Sequence, residues 1–138
     1  INIFLLSIST MKQKYVPKYT FYGCTSLELV EMQSGVTIIR QSAFEGCTHL
    51  EGVVISAELK TVREDAFKDC ASMKSVFKRD MRGSGGMSTI DIWSGNTSLY
   101  NCTFYYYSPE KPTWLGNFWH YVDGVPTIIV ETNGPMNE

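Results

Sequence analysis

Residues 43–55 read AFEGCTHLEGVVI, and residues 66–78 return much of that pattern as AFKDCASMKSVFK. Phe67 and Cys70 each stand 23 residues after Phe44 and Cys47. Two explanations compete for such spacing. One is a series of reactive or metal-binding cysteines, and the other is a structural unit that stacks on itself and places one side chain of each kind in every layer.

The rest of the chain supports stacking. Sliding the sequence by 23 residues aligns Leu27 with Leu50 and Met73, Val30 with Val53 and Val76, Phe21 with Phe44 and Phe67, and Cys24 with Cys47 and Cys70. Shorter columns pair Met32 with Ile55, Val36 with Leu59, Ile39 with Val62, and Ala43 with Ala66. Ile3, Leu6 and Ile8 fit an earlier unit if one extra residue is allowed before Phe21, in a loop. A period between 20 and 50 residues is the signature of a repeat architecture.

Within each unit V-x-I alternates at period two, which sends its apolar residues to one face of a short strand. A turn near Ser34-Gly35 or Ala57-Glu58 then leads into a second extended stretch, VTIIRQ or LKTVRE, and the AF-x-x-C segment makes a tight corner before the next strand. No stretch has helical periodicity long enough for a regular helix. One such unit cannot bury its own apolar side, but stacked units can, with parallel neighbouring strands about 4.8 Å apart. The expected fold is mainly β, a solenoid of 23-residue turns with short parallel strands, tight corners and little helix.

The string AFEGCTHLEGVVIS resembles the BspA-like class of leucine-rich repeat, whose units run roughly A-F-x-x-C-x-x-L-x-x-V-x-I. The resemblance covers residues 3–77 in three successive units. It departs from the family pattern at Pro17, Arg40 and Arg63, where a small residue or glycine is usual. The closing stretch FYYYSPEKPTWLGNFWHYVDGVPTI is similar to segments that end such arrays in bacterial surface proteins. The resemblance therefore implies a leucine-rich-repeat solenoid at its C-terminal end, exposed at a cell surface or secreted, with a binding surface on the strand face.

Composition excludes several other readings. The chain has 138 residues, 43% hydrophobic and 19% charged, and 12 basic against 14 acidic side chains give a net charge of −2. That leaves no basic footprint for nucleic acid or an anionic membrane. The opening INIFLLSIST is too short to span a bilayer and lacks a basic flank and a cleavage site. A chain that starts at Ile1 on apolar residues is expected to be a piece of a longer protein, and its first strand, Ile3 to Ile8, to be an edge that pairs with another copy or a further repeat.

Zinc needs a C-x-x-C pair or a Cys/His quartet, and only Cys47 and His49 come near one another. No metal and no cofactor is expected. Thiol catalysis needs an imidazole, and no motif places His49 or His120 beside a cysteine. Cys24, Cys47 and Cys70 are expected to point inward as small apolar groups and to stay free, since parallel stacked side chains do not aim at one another. Phe21, Phe44 and Phe67 are the matching aromatic ladder.

After residue 78 the period fails. Three regions are expected: repeats over 1–78, a loop and degenerate last rung over 79–104, and a capping hairpin segment over 105–138. The glycine-rich GSGG at 83–86 has no Lys-Ser/Thr after it and reads as a loop rather than a phosphate cradle. Ile90 and Ile92 alternate as a strand. NFWHYV and VPTIIV flank Asp123-Gly124, a dipeptide suited to a type I′ turn, and Pro126 places the return strand at an edge. Tyr106, Trp114, Trp119 and Tyr121 form a candidate aromatic patch, able either to stack on a sugar or to pack the cap onto the solenoid. Asn96-Thr-Ser and Asn101-Cys-Thr fit the glycan-acceptor pattern.

The outward columns Glu28, Glu51, Lys74 and Glu31, Val54, Phe77 make the candidate binding face, the second with an apolar pair either open to a partner or covered by the 78–92 loop. Function is then expected to be non-catalytic binding of a protein, such as a host matrix or cell-surface protein, or of a carbohydrate. The alternative is a structural spacer or accessory domain of a larger enzyme. Scattered carboxylates with no paired placement argue against an enzyme in its own right.

Overall fold

The computed structural model describes residues 5–8, 14–32, 34–80, 96–113 and 115–130. Among these, ten strands and one short 3-10 turn follow in order: β1 (Leu5–Ile8), β2 (Tyr15–Val16), β3 (Leu29–Met32), β4 (Ile38–Ile39), β5 (Gly52–Ile55), β6 (Thr61–Val62), β7 (Ser75–Lys78), the 3-10 turn (Thr97–Leu99), β8 (Thr103–Tyr107), β9 (Phe118–Val122) and β10 (Val125–Ile129). Ile3, the GSGG segment, Ile90 and Ile92 lie outside the described residues.

The strands form two sheets that wind together. A seven-stranded sheet runs β1-β3-β5-β7-β8-β9-β10, and a three-stranded sheet of two-residue strands runs β2-β4-β6. Pairing is parallel from β1 to β9, with only the β9–β10 hairpin antiparallel. The register repeats the sequence period, with Val30 opposite Val53 and Val53 opposite Val76. Leu6 lies opposite Val30, one residue more than the period, and Tyr15 opposite Ile38 restores it. The extra residue therefore falls between Ile8 and Tyr15, in the connection.

Alternation decides which residues face the core. Val30, Val53 and Val76 point inward with Met32 and Ile55, and the second strands contribute Val16, Ile39 and Val62. All of these are buried. Phe44 and Phe67 close the corner side of the same core, stacked with ring centroids 5.2 Å apart at 9°, and Phe21 continues the stack at 5.2 Å and 15°.

The corners hold by a backbone ladder. Phe21 N–H donates to Ala43 O at 2.8 Å and Phe44 N–H to Ala66 O at 2.7 Å. Gly23 and Gly46 N–H donate to Glu45 and Lys68 carbonyls in the same way. Each corner also uses two left-handed residues, Tyr19, Ser42 and Asp65 in one column and Gly23, Gly46 and Asp69 in the other. Left-handed backbone costs a residue with a Cβ on the order of 1 kcal/mol, and the ladder bonds on either side offset that cost. The sharp turn thus falls two residues after Pro17, Arg40 and Arg63, so those positions need no glycine.

All four cysteines are free. Cys47 and Cys70 are buried, and each thiol donates to the phenylalanine carbonyl of the preceding turn, Cys47 to Phe21 O and Cys70 to Phe44 O, both at 3.1 Å. Their role is thus partly polar, because each satisfies a second lone pair at a buried corner. Cys24 departs from the expected inward column: it is exposed. It lies on the first described corner, with Cys47 on one side and no described residue on the other.

Contact with Cys47, then burial, pushes the Cys70 thiol far above its usual range, and burial raises Cys102 to about 11. Cys70 and Cys102 therefore hold their protons at neutral pH. A thiol reagent at pH 8 should label Cys24 in the folded protein and reach Cys47 and Cys70 only on unfolding, as peptide mass mapping reads directly. Phe44→Ala should lose about 3–5 kcal/mol of stability in a urea titration.

Candidate functional site

The outward side of the large sheet is built by the residues between the core positions: Leu29 and Glu31 on β3, Gly52 and Val54 on β5, Ser75 and Phe77 on β7, and Tyr105 and Tyr107 on β8. Much of it is covered. Val54, Phe77 and Trp119 form a second buried cluster, with Leu29, Tyr105, Tyr107 and Tyr121 packed against them.

The cover is the C-terminal hairpin. Asp123 and Gly124 carry φ of 52° and 77°, the two positive values that a type I′ turn requires, and β10 is the last strand of the sheet. β5, β7 and β8 separate β3 from β9 in the sheet order, yet Tyr121 on β9 donates its hydroxyl to Glu31 Oε1 on β3 at 2.7 Å. The hairpin therefore bends back across the strand face. Trp119 is completely buried beneath it, its indole N–H bonded to Lys78 O at 2.7 Å. Phe77 stacks on Tyr105 at 5.5 Å and meets Trp119 at 5.5 Å.

A charged latch fixes one side of the cover. Arg79 Nη2 lies 3.1 Å from Glu31 Oε1, its Nε donates to Met32 O at 2.7 Å, and its guanidinium lies 5.9 Å from the Tyr121 ring centre. Burial and then the Glu31 carboxylate raise the Tyr121 phenol above its usual value.

These contacts correct the outward column. Glu31, Val54 and Phe77 are on the strand face, but they are buried and offer little free surface: Val54 has no exposed area, Glu31 is held in the latch, and Phe77 lies under Trp119 with only an edge, 7% exposed, reaching the groove beside it. The aromatic patch is corrected likewise. Trp119 is core to the cap, Tyr121 is half-buried in the latch, and Tyr106 lies beneath the Lys78 ammonium at 4.7 Å. Trp114 falls outside the described residues.

Among the described residues a groove of about 440 Å³ lies open along the start of the strands. Glu28, Glu51 and Lys74 form its rim, Leu29, Gly52, Ser75 and Phe77 its floor, and Val125 and Pro126 at the hairpin turn its far wall. Gly52 makes the depression. A Cβ there would meet Phe77 Cε2 at 3.2 Å and Leu29 Cδ1 at 3.4 Å, closer than the packed ring can comfortably give. The groove brings together Glu28, Glu51, Lys74 and Phe77 of the candidate face. Leu29, Gly52, Ser75, Val125 and Pro126 join them without a sequence signal beyond their register.

Lys74 Nζ meets Glu51 Oε1 at 2.8 Å, and that hydrogen bond holds the lysine above its usual pKa. Both ends are well exposed, so solvent leaves the pair little weight in stability. No group of three or more His, Cys, Asp and Glu able to hold a metal lies among the described residues. His49 Nδ1 lies 3.3 Å from Thr48 Oγ1 and sits exposed on the corner. No described helix is long and apolar enough to cross a membrane.

Successive parallel turns with almost no helix and a capped end define a leucine-rich-repeat solenoid, a class that builds protein-interaction modules. A family model described as BspA type leucine rich repeat region matches in six copies over residues 5–111, and the chain belongs to that family. The match continues through β8, beyond residues 3–77 where the sequence columns are legible. A solved leucine-rich repeat protein of T. pallidum aligns with a TM-score of 0.51 and 26% identity over 58% of this chain. The alignment covers 42% of that protein, so this chain matches less than half its length. No curated protein matches the chain.

The latch generates a prediction. Tyr121→Phe removes a hydrogen bond to a buried carboxylate and should cost about 1.5 kcal/mol. Because the folded protein raises this phenol's pKa, the stabilisation is fully present below the ordinary value of 10.0 and fades as pH rises beyond it. Thermal melts of the two proteins should therefore differ most at neutral pH and converge in strong alkali.

Proposed function

We propose that the chain is a non-catalytic protein-binding module of a bacterial cell-surface or secreted protein, serving adhesion to a host matrix or to another surface protein. Binding takes place through the uncovered part of the strand face. The observation that carries this reading is the groove: a largely apolar floor with a charged rim, open at the face of a repeat stack whose other outward column is mostly covered by its own hairpin. Apolar floors with polar rims suit protein contacts. Membership of a repeat family that is typically non-catalytic supports the same reading. Within the candidate aromatic patch Trp119 is used in packing and Tyr121 in the latch, which leaves those two rings little to offer a sugar.

A spacer or accessory domain of a larger enzyme is the second reading, and the covered face favours it, because a hairpin that fills the strand face leaves less of it to recognise anything. β1, at the outer edge of the large sheet among the described residues, is the place where a further repeat or a second copy would add a strand.

Ser75→Trp fills the groove from its floor and separates the readings. A binding module should lose at least about tenfold in capture of matrix or cell-surface protein, as expected for a blocked interface centre. The thermal melt should stay within a few degrees of the parent. A folded variant that binds as before would place the contact elsewhere.

A further inference from the structure

We propose that the groove takes an extended peptide segment with a lysine or arginine against Glu28 and an apolar neighbour against Phe77 and Pro126, an inference that rests on the groove being the protein-binding surface. Glu28, Glu51 and Lys74 occupy equivalent places on three successive turns, with Glu51 N–H bonded to Glu28 O at 2.9 Å and Lys74 N–H to Glu51 O at 2.8 Å. The rim thus carries two carboxylates and a single ammonium. Lys74 reaches back one turn to Glu51 at 2.8 Å, whereas Glu28 has no ion-pair partner among the described residues. In the corresponding place one turn on from Glu28 stands Glu51, another anion.

The Lys74–Glu51 pair shows that a lysine chain fits across one turn of this rim, and an incoming lysine repeats that contact at Glu28. Its methylene stem then lies along Leu29 and the Gly52 depression, as such stems do on apolar surface while the charged end stays wet. The far wall, Val125 and Pro126, carries no charge and receives an apolar side chain. An extended backbone suits a floor that runs across parallel strands, where one peptide residue advances about 3.3 Å and each turn about 4.8 Å.

The test is fluorescence anisotropy with three labelled hexapeptides, Gly-Leu-Lys-Val-Lys-Thr and its glutamine and glutamate counterparts. The lysine peptide should bind best, and its affinity should fall on raising salt to about 0.5 M. Glu28→Gln should weaken it about threefold, and Lys74→Gln, by releasing Glu51, should tighten it by a similar factor. A gain of binding cannot come from misfolding. Equal binding of all three peptides, or no response to either variant, overturns the charge assignment. If Ser75→Trp still abolishes partner capture in that case, the groove stands and only its cationic preference falls; if Ser75→Trp changes neither measurement, the groove falls with it.

Discussion

At each corner the amide of one turn finds its acceptor on the next, and this ladder constrains everything else. Phe21 bonds to Ala43 and Phe44 to Ala66, each N–H reaching a carbonyl one turn on. These amides are shielded by the aromatic stack and would be costly if left unpaired. Pairing requires that turns have equal circumference, so the period is a hydrogen-bonding requirement before it is a packing one. An inserted residue is tolerated where no corner has to match across it. The two described departures obey this: the extra residue before Tyr15 lies in a connection, and the longer offset that sets Ser75 opposite Thr103 comes where the corner ladder has ended.

A ladder must end without orphaned groups, and here a side chain ends it. Asn96 Oδ1 accepts from Phe67 N–H at 3.0 Å, and its Nδ2 donates to Arg63 O at 3.0 Å. One amide therefore supplies the acceptor that another corner would have offered to Phe67 and adds a bond of its own to Arg63 O. Asn96 is fully buried and both of its polar atoms are engaged, which closes the Asn96-Thr-Ser sequence to glycan attachment in the folded chain, while Asn101 stays exposed. The strand side ends differently, by continuing through β8 and β9 and folding back.

The repeats are legible because they obey one rule many times. Leu50, Val53, Ile55 and Phe44 each have partners one period away; alternation sends Val53 and Ile55 inward, and the repeated corner does the same for Phe44 and Leu50. Cys24 breaks its column, exposed on the first described corner where Cys47 and Cys70 are buried on later ones, a difference that residue type does not carry. The hairpin is legible from Asp123-Gly124, but its direction is not. Whether it extends the sheet outward or bends over the strand face depends on Tyr121 meeting Glu31, a contact across 90 residues that no local pattern announces. The groove inherits that difficulty, since Val125 and Pro126 matter only once the hairpin has bent.

The outward columns nonetheless hold a trace of the division between covered and open surface. From β3 to β8 one column runs Glu31, Val54, Phe77, Tyr105, turning from charged to apolar and aromatic toward the hairpin that covers it, while Glu28, Glu51 and Lys74 stay charged. Stacking Phe77 on Tyr105 and Trp119 stabilises a covered face, whereas burying Glu28 or Glu51 there would strand a charge away from water. Glu31 is the exception, and it is the one carboxylate of the covered column that finds both a guanidinium and a phenol. Its burial is tolerated because Arg79, just after β7, and Tyr121, carried in by the hairpin, both reach it: the polarity of each outward column thus decides where the hairpin can lie, and the hairpin in turn decides which charged groups remain available to a partner.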